Sequence, residues 1–428
     1  MTRVRPSLRL VIGGAVSLAV IAAAASLPAL AGTAAAATTP QTVILDGAKL
    51  AAVKAQLTSS PTSGETKALA ALKKSADAAL TAGPWSVMDK KSTVSKDKHD
   101  YYSLATYYWP NPNTANHCPY IHKDGRWGPT VATTGDLTAW ANTWQAISNL
   151  TLAWYYTGNS AYAGRAELFL RTWFLNPATK MNPNMNFGQV VPCTTTGRKE
   201  GVLEMSQALT QVLDGLAILN TGAPGWAAAD QSGMNAWLTA YLKWSTTSSI
   251  GVGESKATNN HGTWKDLQDA AIEYYLGQTS AAKTLVSNAR SGRIAKQIDS
   301  TGKQPMEISR TRPWHYVNYN LQGLIRIAEL GKKLNINLWA YTASSGATLA
   351  KAVDYLIPYA TGTKSWMSSD LDVFNPSYFR DKAHAAATEG GDTKANAAVS
   401  KVPSPASGDL WYVEPVAWEI LSDPPVQK

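Results

Sequence analysis

Apolar residues recur at steps of three and four along most of this chain. Leu137, Trp140, Trp144, Ile147, Leu150 and Trp154 form one such stripe, which predicts a helix with one buried face. Gly158-Asn159 ends it, Ser160 is placed to cap the next helix, and Tyr162, Ala166, Phe169, Leu170 and Trp173 continue the period. A helix is also predicted from Glu65 to about Leu80, and others over residues 200–220, 228–247, 262–277, 279–290, 314–331, 346–358 and 409–421. The connections are short or marked by Gly, Asn and Pro, so neighbouring helices should run antiparallel. No strand alternation competes seriously. The expected fold is all-α, an (α/α) toroid or barrel of stacked helix hairpins.

Two stretches break the period. Residues 38–60 read as a polar lead-in to a single domain spanning 61–428. Residues 84–132 are irregular, with Trp109-Pro110-Asn111-Pro112-Asn113 as a turn cluster. So long an irregular stretch inside a compact domain is more often functional than idle. The N-terminus reads as an export signal over residues 1–37. Arg3, Arg5 and Arg9 precede an apolar run from Leu10 to about Leu30, and Ala34 to Ala37 offer a cleavage site. A retained anchor is the competing reading, but Pro28 and the alanine-rich end favour cleavage. The expectation is a secreted, extracellular monomer with no stable membrane association.

Composition narrows the partner. Sixteen Trp and eighteen Tyr stand against five Phe, and rings with a polar handle suit sugar-binding surfaces as well as cores. Loss of the signal lowers the net charge from +9 to +6, which suits a polyanion. Lys and Arg are scattered without a dense patch, so an acidic polysaccharide fits at least as well as nucleic acid, and no nucleic-acid partner is expected. Cys118 and Cys193 in an oxidising compartment favour one disulfide over two free thiols. Two Cys without clustered His make no convincing metal site, and no cofactor is expected.

Two polar segments carry the chemistry: Asn259-Asn260-His261-Gly262-Thr263-Trp264, and Glu307-Ile308-Ser309-Arg310-Thr311-Arg312-Pro313-Trp314-His315-Tyr316. Each sits where a helix should begin. Asn259 or Asn260 suits an N-cap, which leaves His261 a solvated first-turn residue; alternatively the helix start holds a substrate carboxylate. Pro313 suits a first turn and puts Tyr316 and Asn320 on one face. Arg310 and Arg312 just before it can bind a uronate in a bidentate way or simply pair with acids such as Glu307. Motifs for a serine-hydrolase elbow, a zinc protease or a phosphate loop are missing from the sequence. Scattered acids, Asp136, Glu204, Glu254 and Glu307, leave paired-carboxylate glycoside hydrolysis open.

The ordered motifs resemble the alginate lyase superfamily of helical-toroid polysaccharide lyases, closest to polysaccharide lyase family thirty-eight. They are His99-Asp100-Tyr101-Tyr102-Ser103, Tyr108-Trp109-Pro110, Leu170-Arg171-Thr172-Trp173-Phe174, Met181-Asn182-Pro183-Asn184, the two segments above and Gln304-Pro305-Met306-Glu307. The resemblance runs from about residue 85 to about 370. It implies β-elimination on a 1,4-linked uronate polymer, with Tyr316 as catalytic phenol and His261 as its partner. Asn260 and Arg310 would neutralise the carboxylate, and Glu254 would orient His261. Arg-to-Tyr spacing is one residue shorter than in the family-five alginate lyases, so Arg312 competes with Arg310. Tyr102, Trp109, Asn186, Gln189 and Arg198 are candidates for the substrate lining. Mannuronate-rich alginate is the first expectation. Glucuronan, a glycoside hydrolase and a non-catalytic polysaccharide-binding protein are the alternatives.

Overall fold

Helix α1 (Gly47–Ser59) starts at Asp46, whose carboxylate accepts from the amides of Ala48 and Lys49, and α2 (Ser63–Thr81) starts at a Thr62/Glu65 capping box. The computed structural model describes residues 39–416. The predicted export signal, and residues 417–421 of the last predicted helix, lie outside that range. The stretch 38–60, read from sequence as a polar lead-in, therefore carries a helix. Its periodicity is faint because alanines and lysines surround its apolar positions.

Four short strands interrupt the helices, where the sequence offers no alternation. Strand β1 (Tyr102–Leu104) pairs in parallel with β4 (Phe187–Val190), and β2 (Tyr108–Trp109) forms an antiparallel hairpin with β3 (Ile121–His122). These strands organise the irregular 84–132 segment. The expected disulfide joins Cys118, in the β2–β3 loop, to Cys193, just beyond β4.

The remaining elements are helical. They are α3 (Leu137–Thr157), α4 (Ser160–Leu170), α5 (Leu203–Leu219), α6 (Ala228–Thr247), α7 (Ser249–Ser255), α8 (Asn260–Tyr275) and α9 (Thr279–Ala289). Then come the single turns α10 (Ala295–Gln297) and α11 (Pro305–Ile308), followed by α12 (Pro313–Lys333), α13 (Leu349–Ala360), α14 (Arg380–Glu389) and α15 (Thr393–Val399). Where 409–421 was expected to be helical, Leu410–Tyr412 form only a 3-10 turn.

Consecutive long helices pack as hairpins, α3 on α4 and α8 on α9, while α3, α5, α8 and α12 contact one another in succession. This is the all-α toroid the pattern predicts. Its inner helices are buried almost all round: every residue of α12 from Pro313 to Gly331 is buried. Polar side chains there must find partners inside. Asn320 Nδ2 donates to Gln297 (3.0 Å) and Gln304 (2.8 Å), and Thr263 in α8 also donates to Gln297 (2.9 Å). A buried amide network thus fixes α12 against the start of α8. Among the described residues, no helix is long and apolar enough to cross a membrane.

The N-terminal end is fastened by charge. Amides of Val43, Ile44 and Leu45 donate to the buried Asp214 carboxylate of α5 at 2.5, 3.0 and 2.9 Å. Lys333 at the end of α12 donates to the carbonyls of Thr42 and Leu45, each at 2.5 Å. Asp214→Ala would strand three buried amides and remove a negative charge that favours the Lys333 ammonium, a cost of about 3–5 kcal/mol. Denaturant unfolding should show it, and a loss below about 1 kcal/mol would mean the clamp is dispensable.

Candidate active site

The first polar segment opens α8, and its glycine is there for space. A Cβ on Gly262 would fall 2.1 Å from the Ala257 carbonyl and 2.3 Å from Arg293 Nη1. Arg293 fixes that turn by donating to Ala257 O (2.6 Å), Ser255 O (3.1 Å) and Asp266. The short α7 before it carries Glu254, fully buried, with Oε1 2.5 Å from Nδ1 of His261. An ionised carboxylate only accepts, so Nδ1 carries the hydrogen and Nε2 is the nitrogen left for a substrate. Lys199 holds the other Glu254 oxygen at 3.4 Å.

The start of α8 departs from expectation. Asn259 is the N-cap residue but its side chain makes no capping bond. The cap comes from a distance: Asn260 N donates to Glu307 Oε1 and Asn260 Nδ2 to Glu307 Oε2, both at 2.7 Å. The anion position at this helix start, expected from sequence to suit a substrate carboxylate, is thus taken by the protein's own acid. Burial pushes the Glu307 carboxyl up, against the two Asn260 donors and the charges of Arg310 and His261 that hold it down. Asn260 itself is fully buried, and its Oδ1 has no hydrogen bond.

Glu307 therefore brings the two segments together, and Arg310 and Tyr316 follow. Arg310 Nη2 donates to the Tyr316 hydroxyl at 2.9 Å, and its guanidinium lies 3.9 Å over the Tyr316 ring. Asp124 holds the same guanidinium through Nε (3.1 Å) and Nη2 (2.6 Å) and also accepts from Thr311 Oγ1 (3.0 Å). The hydroxyls of Tyr107 and Tyr316 are 2.6 Å apart. Burial, then Tyr107, hold the Tyr316 phenol well above the usual tyrosine range, with Arg310 working the other way. The resting residue is a neutral phenol.

Tyr107 and Asp124 were not anticipated from sequence. Tyr107 directly precedes β2 and Asp124 follows β3 by two residues, so the hairpin delivers both to Tyr316 and Arg310. The only sequence signal was the length of the irregular segment. The two arginines have different partners, and of the two it is Arg310 that donates to the Tyr316 hydroxyl. Arg312 is 1% exposed and clamps Asp372 through Nε at 2.8 and 2.9 Å, which turns it away from any substrate.

Other expected lining residues divide. Tyr102 is buried with Leu104, Val131 and Val190. Trp109, Gln189 and Arg198 are half-buried and Asn186 is exposed. Lys123 Nζ sits 4.5 Å over the Trp109 ring, and Arg198 lies 5.3 Å over Tyr108. Asn186 Oδ1 accepts from Trp244 Nε1 (2.8 Å), while the Gln189 amide donates to Ser103 Oγ (2.8 Å).

The four scattered carboxylates face inward. Asp136 pairs with buried Lys90 at 3.0 Å. Burial lifts Glu204 to about 7, and it accepts from Ser103 Oγ (2.6 Å) and Tyr101 OH (2.9 Å). Glu254 and Glu307 are committed to His261 and Asn260 as described. No pair of them is left for glycoside hydrolysis.

Comparison with known proteins gives the family and the fold. The alginate lyase family model matches residues 86–366. The solved structure of an alginate lyase from Bacteroides ovatus is 29% identical, with a TM-score of 0.80, covering 87% of this chain and 99% of its own. Alginate lyase A1-III, solved as a histidine-to-alanine variant complexed with tetrasaccharide, shares the fold at 14% identity and a TM-score of 0.53. That match covers 89% of this chain and 97% of the other. No curated protein matches the sequence significantly.

The Asp124–Arg310 pair has a pH signature. Burial alone would raise the Asp124 carboxyl, but Arg310 and Thr311 outweigh it and hold it below its ordinary value. A depressed carboxyl stabilises the fold above its unfolded pKa of about 3.9, and that stability is lost as pH falls through the folded value. Asp124→Asn should therefore melt lower than the parent at neutral pH, with the gap closing below about pH 4. A gap that stays constant between about pH 3 and 7 would contradict the pairing.

Proposed function

This chain belongs to the alginate lyase family and is a polysaccharide lyase, and we propose that it cleaves mannuronate-rich alginate by β-elimination with Tyr316 moving the proton. One observation carries the reading. A phenol oxygen is met by a cation at 2.9 Å, the same cation covers its ring, and that cation and an imidazole fixed by a buried carboxylate both act on Glu307. Burial opposes the phenolate, and the Arg310 charge is the group that makes it accessible.

In the reaction Tyr316 first loses its own proton to solvent, the C5–H bond of a uronate breaks, and that proton goes to the Tyr316 phenolate. The electron pair becomes the C4–C5 double bond, the C4–O4 bond breaks, and Tyr316 returns the proton to O4. No water is consumed. Charge building on the C6 carboxylate as H5 leaves is met by donors already in place. We assign these to Nη1 of Arg310 and the second Nδ2 hydrogen of Asn260; Nε2 of His261 joins them only when the imidazole carries a second proton. Glu254 sets the His261 tautomer, and Asp124 keeps Arg310 from swinging away. One residue suffices for both transfers when H5 and O4 share a face, as in mannuronate and glucuronate. A second reading draws on the 2.5 Å Glu254–His261 contact: His261 as base and Tyr316 as acid would suit guluronate, where the two lie on opposite faces.

Two measurements test the proposal. Tyr316→Phe should lower formation of the ultraviolet-absorbing unsaturated product by about a thousandfold with polymer binding retained. Near-normal turnover would sink the assignment. Because the phenol titrates above its ordinary range, kcat/KM on polymannuronate should climb about tenfold per pH unit from roughly pH 7 to 9. A flat profile over that interval would move the base role to His261. Faster cleavage of glucuronan or polyguluronate would overturn the choice of sugar.

A further inference from the structure

Glu254 is a fully buried carboxylate with two partners, and only one of them carries a permanent charge. His261 Nδ1 meets Oε1 at 2.5 Å, and Lys199 Nζ lies 3.4 Å from Oε2. A carboxylate so buried needs a counter-charge. When Lys199 supplies it, the imidazole can stay neutral, with its hydrogen on Nδ1 and a bare lone pair on Nε2. Without Lys199, the nearest source of positive charge is a second proton on the ring.

We propose that Lys199 is a positioning residue for the lyase reaction: it balances Glu254, and so keeps His261 a neutral imidazole whose Nε2 accepts from the bound sugar. The inference rests on the reading that His261 faces the reacting uronate.

Lys199 is built into its place. It opens a 3-10 turn, Lys199–Val202, that leads into α5 and packs against α7. Its stem crosses α7 at Gly253, where a Cβ would fall 3.5 Å from Lys199 Cδ. Glu200 Oε1 holds the ammonium from the other side at 3.2 Å, and Arg198 Nη2 holds Glu200 Oε2 at 3.1 Å. Burial works against the Lys199 charge, but Glu254 and then Glu200 outweigh it and hold the ammonium above the usual lysine range. It therefore stays charged at any pH where an imidazole changes form.

The other charged groups around the pair have partners of their own. Arg293, beyond α9, holds Asp266 of α8 and the carbonyls of Ser255 and Ala257. From α6, Ser245 donates to Asp269 of α8, which pairs with Lys265. Glu204, at the start of α5, accepts from Ser103 and Tyr101. From the second polar segment, Glu307 takes Asn260, while Arg310 is bound to Asp124 and to Tyr316 of α12. Lys256, after α7, is exposed. Among the described residues, Lys199 is the one fixed cation within ion-pair distance of Glu254.

The test compares the parent, Lys199→Met and Lys199→Arg on polymannuronate from about pH 6 to 9, reading kcat/KM from unsaturated product. Lys199→Met should lie about threefold to tenfold below the parent near pH 6. The gap should close by about pH 9, where an imidazole is neutral with or without a counter-charge beside its carboxylate. Lys199→Arg keeps the charge and should stay within about twofold of the parent throughout. A gap of constant size over that interval would mark a structural role or a direct contact to the polymer, and would overturn the inference. So would Lys199→Met matching the parent at the acid end, or Lys199→Arg losing as much as Lys199→Met. Near-normal turnover in His261→Gln would instead bring down the placement of His261 at the uronate, which separates the two failures.

Discussion

Everything at this site depends on how the first turn of a buried helix satisfies its amides. Helix α8 begins at a fully buried residue, Asn260, and the side chain of the local cap residue Asn259 makes no capping bond there. Glu307, forty-seven residues further on, supplies the carboxylate, taking both the backbone and side-chain nitrogens of Asn260. A buried acid in that position is costly unless fully paired. The arrangement therefore holds two distant segments in one geometry. The same solution recurs at α12, where Asp370 accepts from Trp314 N at 3.0 Å and from Trp366 at 2.9 Å. Asp214 repeats it for the chain entering α1.

This constraint places the reactive groups. His261 follows Asn260 directly, and Arg310 follows Glu307 by three residues, so fixing the Asn260–Glu307 contact brings imidazole and guanidinium to the same place. Charge is then balanced group by group. Glu254 faces His261, Asp124 faces Arg310, and Asp372 faces Arg312. Burial works against the Arg310 charge, and Asp124 more than offsets it. A guanidinium neutralised along one edge by Asp124 still turns its face to the Tyr316 ring.

Much of the scaffold was legible in the sequence because the inner and outer helices carry a strong 3.6 period. The Trp140-to-Trp154 stripe and the stretch from Trp314 onward land on α3 and α12. The helices that were missed have little apolar contrast. Ala and Lys surround the apolar positions of α1, α14 is Ala-rich with charged neighbours, and α7 is a seven-residue helix broken up by Gly and Ser. At the site, Asn260, His261, Arg310 and Tyr316 lie in segments whose motifs are contiguous, so they could be named in advance. Tyr107 and Asp124 could not be. Their approach to Tyr316 depends on a hairpin of two-residue strands, too short to show any alternation. The choice between Arg310 and Arg312 was equally hidden, because two residues along a turn reverse which side a guanidinium faces.

The β2–β3 hairpin is fastened at three points: Tyr107 at one foot, Asp124 at the other, and the Cys118–Cys193 bridge in its loop. The residues between these fixed points, on either side of Cys118, answer to none of them. The feet meet Tyr316 and Arg310, whereas the loop between them is tied to the segment beyond β4 instead.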